Sequence, residues 1–318
     1  MLAQITPRAI FAIAILGLCG LIPTIAAALG EPFYMDIFAR MMIWAIAAVS
    51  LNLILGYGGM ISFGHAAYLG IGGYVVGICA YHEVESALVQ WPLALALCAI
   101  IALFFGAISL RTRGVYFIMI TMALTQMIYF LSVSAEEYGS DDGLVIYTRS
   151  QFGTDWYDLD KPLHLYYTIF AALMLCLYVT KRLVESRFGM VIRGAQSNEQ
   201  RMEAIGFSTY RYRLVCFVIA GVMCGVAGLL SANVEKFISP DTMYWTRSGE
   251  LIFMVVLGGM GSLIGPVAGA LVFWLLAEFL SRITEHWHLF FGPFLVLVVL
   301  FARRGIDGLF GKAKTGHG

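Results

Sequence analysis

The first thing this sequence lacks is charge. Only 13% of its 318 residues are Asp, Glu, Lys or Arg, and 20 basic residues cancel 20 acidic ones. A soluble domain usually carries about 25% charge. That balance leaves no surplus of cations to neutralise phosphates, so nucleic-acid binding has no electrostatic basis. The chain also lacks clustered cysteine. Cys19, Cys79, Cys98, Cys176, Cys216 and Cys224 each sit inside an apolar run, with no CxxC pair. They read as small packing residues rather than disulfide partners or zinc ligands. A phosphate-binding GxxxxGK[ST] loop is missing too. Gly308-Leu309-Phe310-Gly311-Lys312-Ala313 has the wrong spacing and no hydroxyl. No HExxH and no paired aspartates within helices support an intramembrane enzyme, and no series of acids or histidines suits proton coupling.

What is present is hydrocarbon. Apolar residues make up 60% of the chain, and the mean hydropathy is +0.83. Disorder is excluded by that composition, and no heptad or Gly-X-Y period supports a rod. A spanning helix needs about 20 mostly apolar residues. Candidates lie near 9–29, 37–55, 62–81, 88–110, 115–133, 163–180 and 212–231, followed by a long stretch at 251–280 and a last span at 288–302. The first follows Arg8 and resembles a signal peptide, with small residues at Ala26–Ala28. Its length exceeds the roughly 7–15 residues of a signal h-region, so it is read as a retained helix.

Lysine and arginine in the loops set orientation. Seven bases (Lys181, Arg182, Arg187, Arg193, Arg201, Arg211, Arg213) fall in residues 181–213, against seven acids (Glu136, Glu137, Asp141, Asp142, Asp155, Asp158, Asp160) in 136–161. The basic loop is expected in the cytoplasm, together with Arg111, Arg113 and the tail bearing Arg303, Arg304, Lys312 and Lys314. His82, Glu83, Glu85, residues 235–250 and residues 281–287 fall opposite. The stretch 251–280 must then enter and leave again, turning at Gly258-Gly259-Met260-Gly261-Ser262. Short glycine-interrupted arms of this kind mark broken helices that line a pathway. The expected fold is an all-α polytopic membrane protein of about ten transmembrane or broken helices, with both termini cytoplasmic.

That turn has an echo. Gly58-Gly59-Met60-Ile61-Ser62 matches it, and Gly64 and Gly265 follow soon after. Two related halves would explain the pair, as would coincidence in a chain with 34 glycines. The density of glycine across Gly56–Gly64 opposes a stable helix, since each costs about 1 kcal/mol relative to alanine. Freed backbone groups there, with Ser62 and His65, suit the wall of a water-filled cavity. The translocation pathway is therefore expected at Gly59, Ser62, Gly64, His65, Gly258, Gly259, Gly261 and Ser262. Taken alone, His65 reads as a hydrogen-bonded structural residue ahead of a substrate ligand or proton carrier. Asn52, Gln126 and Glu278 are further polar residues in apolar segments, fit for function or for interhelical hydrogen bonds. Gly73–Gly77, Gly221–Gly225, Gly261–Gly265 and Gly265–Gly269 have the spacing of close helix packing.

The basic loop holds a short helix. Ser197-Asn198-Glu199-Gln200 has capping-box spacing with Ser197 as N-cap, and Gly206 supplies a stop. About eight residues cannot hold a helix alone in water, so it must dock. Met202, Ala204 and Ile205 suit a partner's groove, and Arg193, Glu199, Arg201 and Glu203 a polar rim. An ordinary solvated loop or contact with anionic lipid would also use such residues.

Five motifs then resemble a known family. They are Gly56-Tyr57-Gly58-Gly59-Met60-Ile61-Ser62-Phe63-Gly64-His65-Ala66-Ala67, Arg111-Thr112-Arg113-Gly114-Val115-Tyr116-Phe117, Gly139-Ser140-Asp141-Asp142-Gly143-Leu144, Ser186–Gly206 with its Asn198-Glu199, and Leu257-Gly258-Gly259-Met260-Gly261-Ser262 running into Gly265-Pro266-Val267-Ala268-Gly269-Ala270. In order over residues 38–302, they resemble the permease subunit of bacterial branched-chain amino acid ABC importers, of the LivM-like type. Gly194, where the family tends to have alanine, and Tyr138, where a small residue is usual, are departures.

The resemblance implies a second, homologous permease, two ATP-binding subunits at the cytoplasmic face and a periplasmic substrate-binding protein, with ATP bound by the partners and no cofactor in this chain. It implies an inner-membrane location and an ATPase-coupling role for Gly189, Arg193, Asn198, Glu199, Ala204 and Gly206. Residues 1–36 would be an N-terminal helix and external loop, 37–305 the permease domain with its coupling loop at 181–213, and 306–318 a cytoplasmic tail. Leucine, isoleucine and valine are the expected substrates, with urea, amides and aromatic or organic acids as alternatives within the family. An ion-coupled secondary transporter working alone is the rival from another class. No clamp for an amino acid's carboxylate and ammonium is evident in the sequence, so selectivity is expected largely in the delivery protein.

Overall fold

The computed structural model describes residues 7–29, 33–153, 157–283, 286, 289, 292–293 and 305–309. Twelve α-helices occur among them. They are α1 (Pro7–Leu29), α2 (Phe33–Leu55), α3 (His65–Tyr81), α4 (Ala87–Ser109), α5 (Val115–Val133), α6 (Pro162–Glu185), α7 (Arg187–Ser197), α8 (Glu199–Ala204), α9 (Thr209–Glu235), α10 (Trp245–Gly258), α11 (Gly265–Ile283) and α12 (Gly305–Leu309). Six are long and apolar enough to cross a membrane: α2, α4, α5, α6, α9 and α11 up to Arg282. Shorter apolar stretches are Ile10–Thr24 of α1 and all of α3. The expected span at 288–302 lies outside the described residues, apart from 289 and 292–293.

The centre of the bundle is α9, packed against α2, α3 and α4, while α2 also lies against α6, α10 and α11. Glycine makes this closeness possible. A Cβ on Gly72 of α3 would fall on the Gly225 carbonyl of α9, and one on Gly228 of α9 would fall on the Leu69 carbonyl of α3. Gly221 and Gly225 take Ala102 and Cys98 of α4 in the same way. Lipid gives helices no hydrophobic reason to associate, so small residues that let backbones approach hold such a bundle together. Gly73 and Gly77 instead seat Ile238 and Leu144. All six cysteines are buried and unpaired. Leu93, Ile100, Leu103 and Phe104 of α4 and Met119, Met127, Phe130 and Leu131 of α5 point outward, which is the surface a bilayer requires.

The loops sort into two groups. The acidic loop and residues 235–250 meet in a small antiparallel pair, β1 (Leu144–Val145) with β2 (Phe237–Ile238). The 82–86 turn joins them through a bridge between Ser86 and Gln151, and Tyr138 packs edge-on against Tyr81 at 5.7 Å. In the other group Arg113 pairs with Glu199 at 3.2 Å, and α12 docks on α10 and α11. The pairing of the acidic loop with residues 235–250, and of Arg113 with Glu199, follows the grouping expected from loop charge.

Several boundaries differ from expectation: α6 runs on to Glu185 and α9 spans Thr209–Glu235, beyond the expected 163–180 and 212–231. The polar residues Thr246, Arg247, Ser248 and Glu250 dilute the hydropathy that placed the arm's start at 251, yet α10 begins at Trp245. Residues 59–62 have no regular structure, so α3 starts at His65 and not at 62. Helix α2 begins at Phe33, putting the expected boundary at 36 within its first turn. The expected tail from 306 starts inside α12, whose Gly305 abuts Gly259.

Candidate functional site

The two glycine turns touch each other. Asn52, fully buried on α2, accepts a hydrogen bond from the Gly261 N–H at 2.9 Å and donates one to the Ser262 carbonyl at 2.8 Å. Gly56 lies so close to the Gly261 amide that no side chain fits between them. The echo is structural as well as textual. Gly59 and Gly259 both have positive φ, at 67° and 114°, a region that L side chains rarely adopt. In each copy the serine opens the next helix: the Ser62 hydroxyl accepts from Gly64 N–H at 3.1 Å, and that of Ser262 from Gly265 N–H at 2.8 Å. On the far side of the second turn, Gly258, Gly265 and Gly269 form a backbone-to-backbone contact between α10 and α11.

Helix α3 starts deep in the protein. Its 17 residues span about 26 Å at 1.5 Å each, short of a roughly 30 Å hydrocarbon core. Its free N–H groups are satisfied by side chains from other helices, Ala66 by the Ser248 hydroxyl of α10 at 2.9 Å and the preceding Phe63 by Thr121 of α5 at 3.2 Å. His65 is fully buried and lies 2.8 Å from the Ser50 hydroxyl through Nε2. That hydroxyl also lies 2.7 Å from the Ala47 carbonyl, and His65 Nδ1 is buried without a partner. His65 is thus an interhelical bonder between α2 and α3.

The basic loop folds into two helices where one was expected. Ser186 caps α7, its hydroxyl accepting from Gly189 N–H at 3.4 Å and donating to the Leu183 carbonyl at 2.6 Å. A Cβ on Gly189 would strike the Leu183 and Val184 carbonyls, so only glycine permits the tight turn into α7. Arg193 covers the end of α6 by donating to the Val184 carbonyl at 3.1 Å. The N-cap of α8 is Asn198 and not Ser197. Its side chain accepts from the Arg201 N–H at 2.9 Å, while Ser197 is consumed as the last residue of α7. Gly194 leaves the space that the Met202 thioether occupies, which accounts for glycine where the family tends to have alanine.

Glu199 points inward. Its carboxylate pairs with Arg213 of α9 at 2.9 Å and with Arg113 of the α4–α5 turn at 3.2 Å, and it lies 3.0 Å from the Thr209 hydroxyl. The Arg213 guanidinium also donates to the Ala195 carbonyl at 3.3 Å. Below this knot is a cavity of about 180 Å³, whose lining includes Gly59, Met60, Ile61, Arg113, Phe117, Glu199 and Arg213. Gln196 of α7 completes the link by donating to the Gly56 carbonyl at 3.4 Å, and its side chain covers Gly59. The two sets of residues singled out from the sequence, the glycine turns and the basic loop, therefore form one connected site. Ala204, Ile205 and Gly206 face outward, as does Met190.

The family described as the branched-chain amino acid transport system permease component matches residues 33–300. The chain belongs to that family. This permease is 25% identical over 293 residues to the high-affinity branched-chain amino acid transport system permease protein LivM of Salmonella typhimurium, covering 85% of this chain and 69% of the relative. It is 26% identical to the permease protein LivH of the same organism, covering 83% and 91%. Likeness to the autoinducer 2 import system permease protein LsrC of Escherichia coli, at 28% identity, covers 40% of each. No solved structure matches the chain. The permease is a multi-pass inner-membrane transport subunit, and one transport system among its relatives has two permease proteins, LivM and LivH.

Within the permease, Gly261 and Ser262 make the turn-to-turn contact with Asn52 and Gly56. Ser62 and Gly64 lie ahead of α3, with Gly64 against Thr121, Gly258 and Gly259 lie against Gly265 and Gly305, and Gly59 faces Gln196. Gly189, Arg193, Asn198 and Glu199 shape the α6–α9 connection, and Ala204 and Gly206 are its free face. Sequence reasoning missed Gln196, Thr209, Gly56 and Ser248 as site residues. It counted Arg213 only as loop charge and Arg113 as loop charge and part of the Arg111–Phe117 motif, since their convergence on Glu199 arises only in the fold. Gln126 has a buried, unpartnered carbonyl oxygen, and Glu278 pairs with Arg282 one turn on at 3.0 Å.

Proposed function

We propose that this chain is the membrane-spanning permease subunit of an ATP-driven importer that moves branched-chain amino acids inward across the inner membrane by alternating access. In this reading about ten segments cross or enter the bilayer, both termini lie in the cytoplasm, and α7–α8 faces the cytoplasm against one of two ATP-binding subunits. A second, homologous permease completes the pathway, and a periplasmic binding protein delivers the substrate.

The observation that carries the reading is the two-sided character of α7–α8. Its inner side is tied to the glycine turn by Gln196 and to α9 and the α4–α5 turn by Glu199, while its outer side presents Met190, Ala204 and Ile205 to no other part of the described chain. Closure of ATP-binding subunits would move these helices as a unit, and the Gln196 and Glu199 links would pass the displacement to Gly56–Ser62. A ligand shifts such an equilibrium only by its preference for one state, so nucleotide and delivered substrate must favour different states.

Reconstitution tests this. With the second permease, ATP-binding subunits and a leucine-loaded binding protein in proteoliposomes, leucine uptake is expected to require ATP. Uptake by this chain alone, driven by an ion gradient, would identify a secondary carrier. Competition by urea, amides or organic acids in the same assay decides the substrate class.

A further inference from the structure

A second cavity, of about 830 Å³, runs along α10 and α11. Its size is that of a small-molecule site. Its wall is aromatic, with Phe63, Trp245, Phe273 and Trp274 among its residues, and it also contains Arg247, Asp241 and Glu250. The Arg247 guanidinium donates to both Glu250 oxygens at 3.2 Å and to Asp241 Oδ2 at 2.9 Å. Arginine sits here in the first turn of α10, where the partial positive charge of the helix end disfavours a cation. The two carboxylates offset that cost, yet the arginine remains 36% exposed. In the same cavity the indole N–H of Trp274 is buried without an acceptor.

We propose that this groove is a binding station for the zwitterion of an apolar α-amino acid, with its carboxylate on Arg247, its ammonium between Asp241 and Glu250, and its side chain against the aromatic wall. This rests on the importer reading above. An ion triad that merely fastened the 240–243 turn to α10 would need no aromatic cavity beside it. The combination matches a ligand that carries both charges at one end and hydrocarbon at the other. The sequence showed no such clamp because Asp241, Arg247 and Glu250 are spread over ten positions and converge with Phe63 only in the fold. The groove also adjoins the moving parts. Phe63 follows the glycine turn and lies 6.1 Å from Trp245, and Ser248, next to Arg247, caps α3. Occupancy would therefore bias the same elements that α7–α8 moves.

The test uses the complete reconstituted importer and radiolabelled leucine. R247Q is expected to lower uptake at least tenfold while ATP hydrolysis stimulated by the binding protein persists, and R247K to restore part of the uptake. A fastening role predicts instead that hydrolysis and uptake fall together. Independently of whether R247Q assembles, Thr246→Cys at the exposed rim of the groove is expected to react with a charged thiol reagent at least fivefold more slowly when leucine is present. The six native cysteines are buried and give little background. Wild-type uptake in R247Q, or unprotected labelling of Thr246→Cys in a complex that imports leucine, overturns the groove. A wild-type complex that imports no leucine overturns the importer reading, and the groove with it.

Discussion

Gly228→Val is expected to abolish the folded permease, measured as the fraction that stays monodisperse after mild detergent extraction. Gly228 lies where α9 crosses α3, and a Cβ there would overlap the Leu69 backbone carbonyl. A flexible side chain can move aside, but a carbonyl inside a helix can move only if the helix does. Separating α3 from α9 would also open the Gly72–Gly225 contact one turn away. Overpacking a well-filled core costs about 1–3 kcal/mol when side chains absorb it, and here backbone must. In α1, Gly17→Val is the control, because Gly17 is exposed with nothing within 4 Å. That variant is expected to extract like the wild type.

Glu199→Gln is expected to leave the bundle folded but to cut ATP-driven uptake at least tenfold. The Glu199 and Arg213 side chains are 14% and 16% exposed, so their 2.9 Å contact is largely shielded from water. Removing the anion leaves Arg213 nearly buried with its Nε already lacking an acceptor, a loss of about 3–5 kcal/mol for a pair broken on one side. The α9 core does not depend on this pair, but the position of α8 does. Arg213→Gln in the Glu199→Gln background removes the stranded charge and is expected to recover part of the coupling. No recovery, with both single variants equally inactive, would mean that the charge itself and not the alignment of α8 is required. Arg113, 66% exposed, should matter less, since an exposed ion pair contributes about 0–1 kcal/mol.

How much of this was legible in the sequence follows from the range over which each signal acts. The long spans are local features of composition, and α2, α4, α5, α6, α9 and α11 lie where hydropathy puts them. Loop charge set the expected sidedness, and the β1–β2 pair and the Arg113–Glu199 contact group those loops in the same way. The glycine turns were visible because no regular element uses so much glycine. The N-cap of α8 was not, since Ser197 and Asn198 are both good caps and the choice depends on where α7 ends. The start of α10 was hidden because the residues that make it polar, Arg247 and Glu250, are those that pair with each other and with Asp241. Asn52 was recognisable as an interhelical bonder, but its partners lie about 210 positions away. Nothing in a single sequence gives that distance. The direction of Glu199 was hidden for the same reason, as a rim residue and an internal brace look alike until Arg213 and Arg113 are placed beside it.

The central claim is that α7–α8 is the handle by which a separate ATPase moves this chain. The most direct measurement is sided thiol labelling of Ile205→Cys, which replaces a side chain 63% exposed on the free face. In inside-out vesicles a membrane-impermeant reagent should label it readily, and adding the ATP-binding subunits should block that reaction. Right-side-out vesicles should show none. Labelling from the periplasmic face, or labelling from the cytoplasmic face that the ATP-binding subunits leave unchanged, would contradict the account.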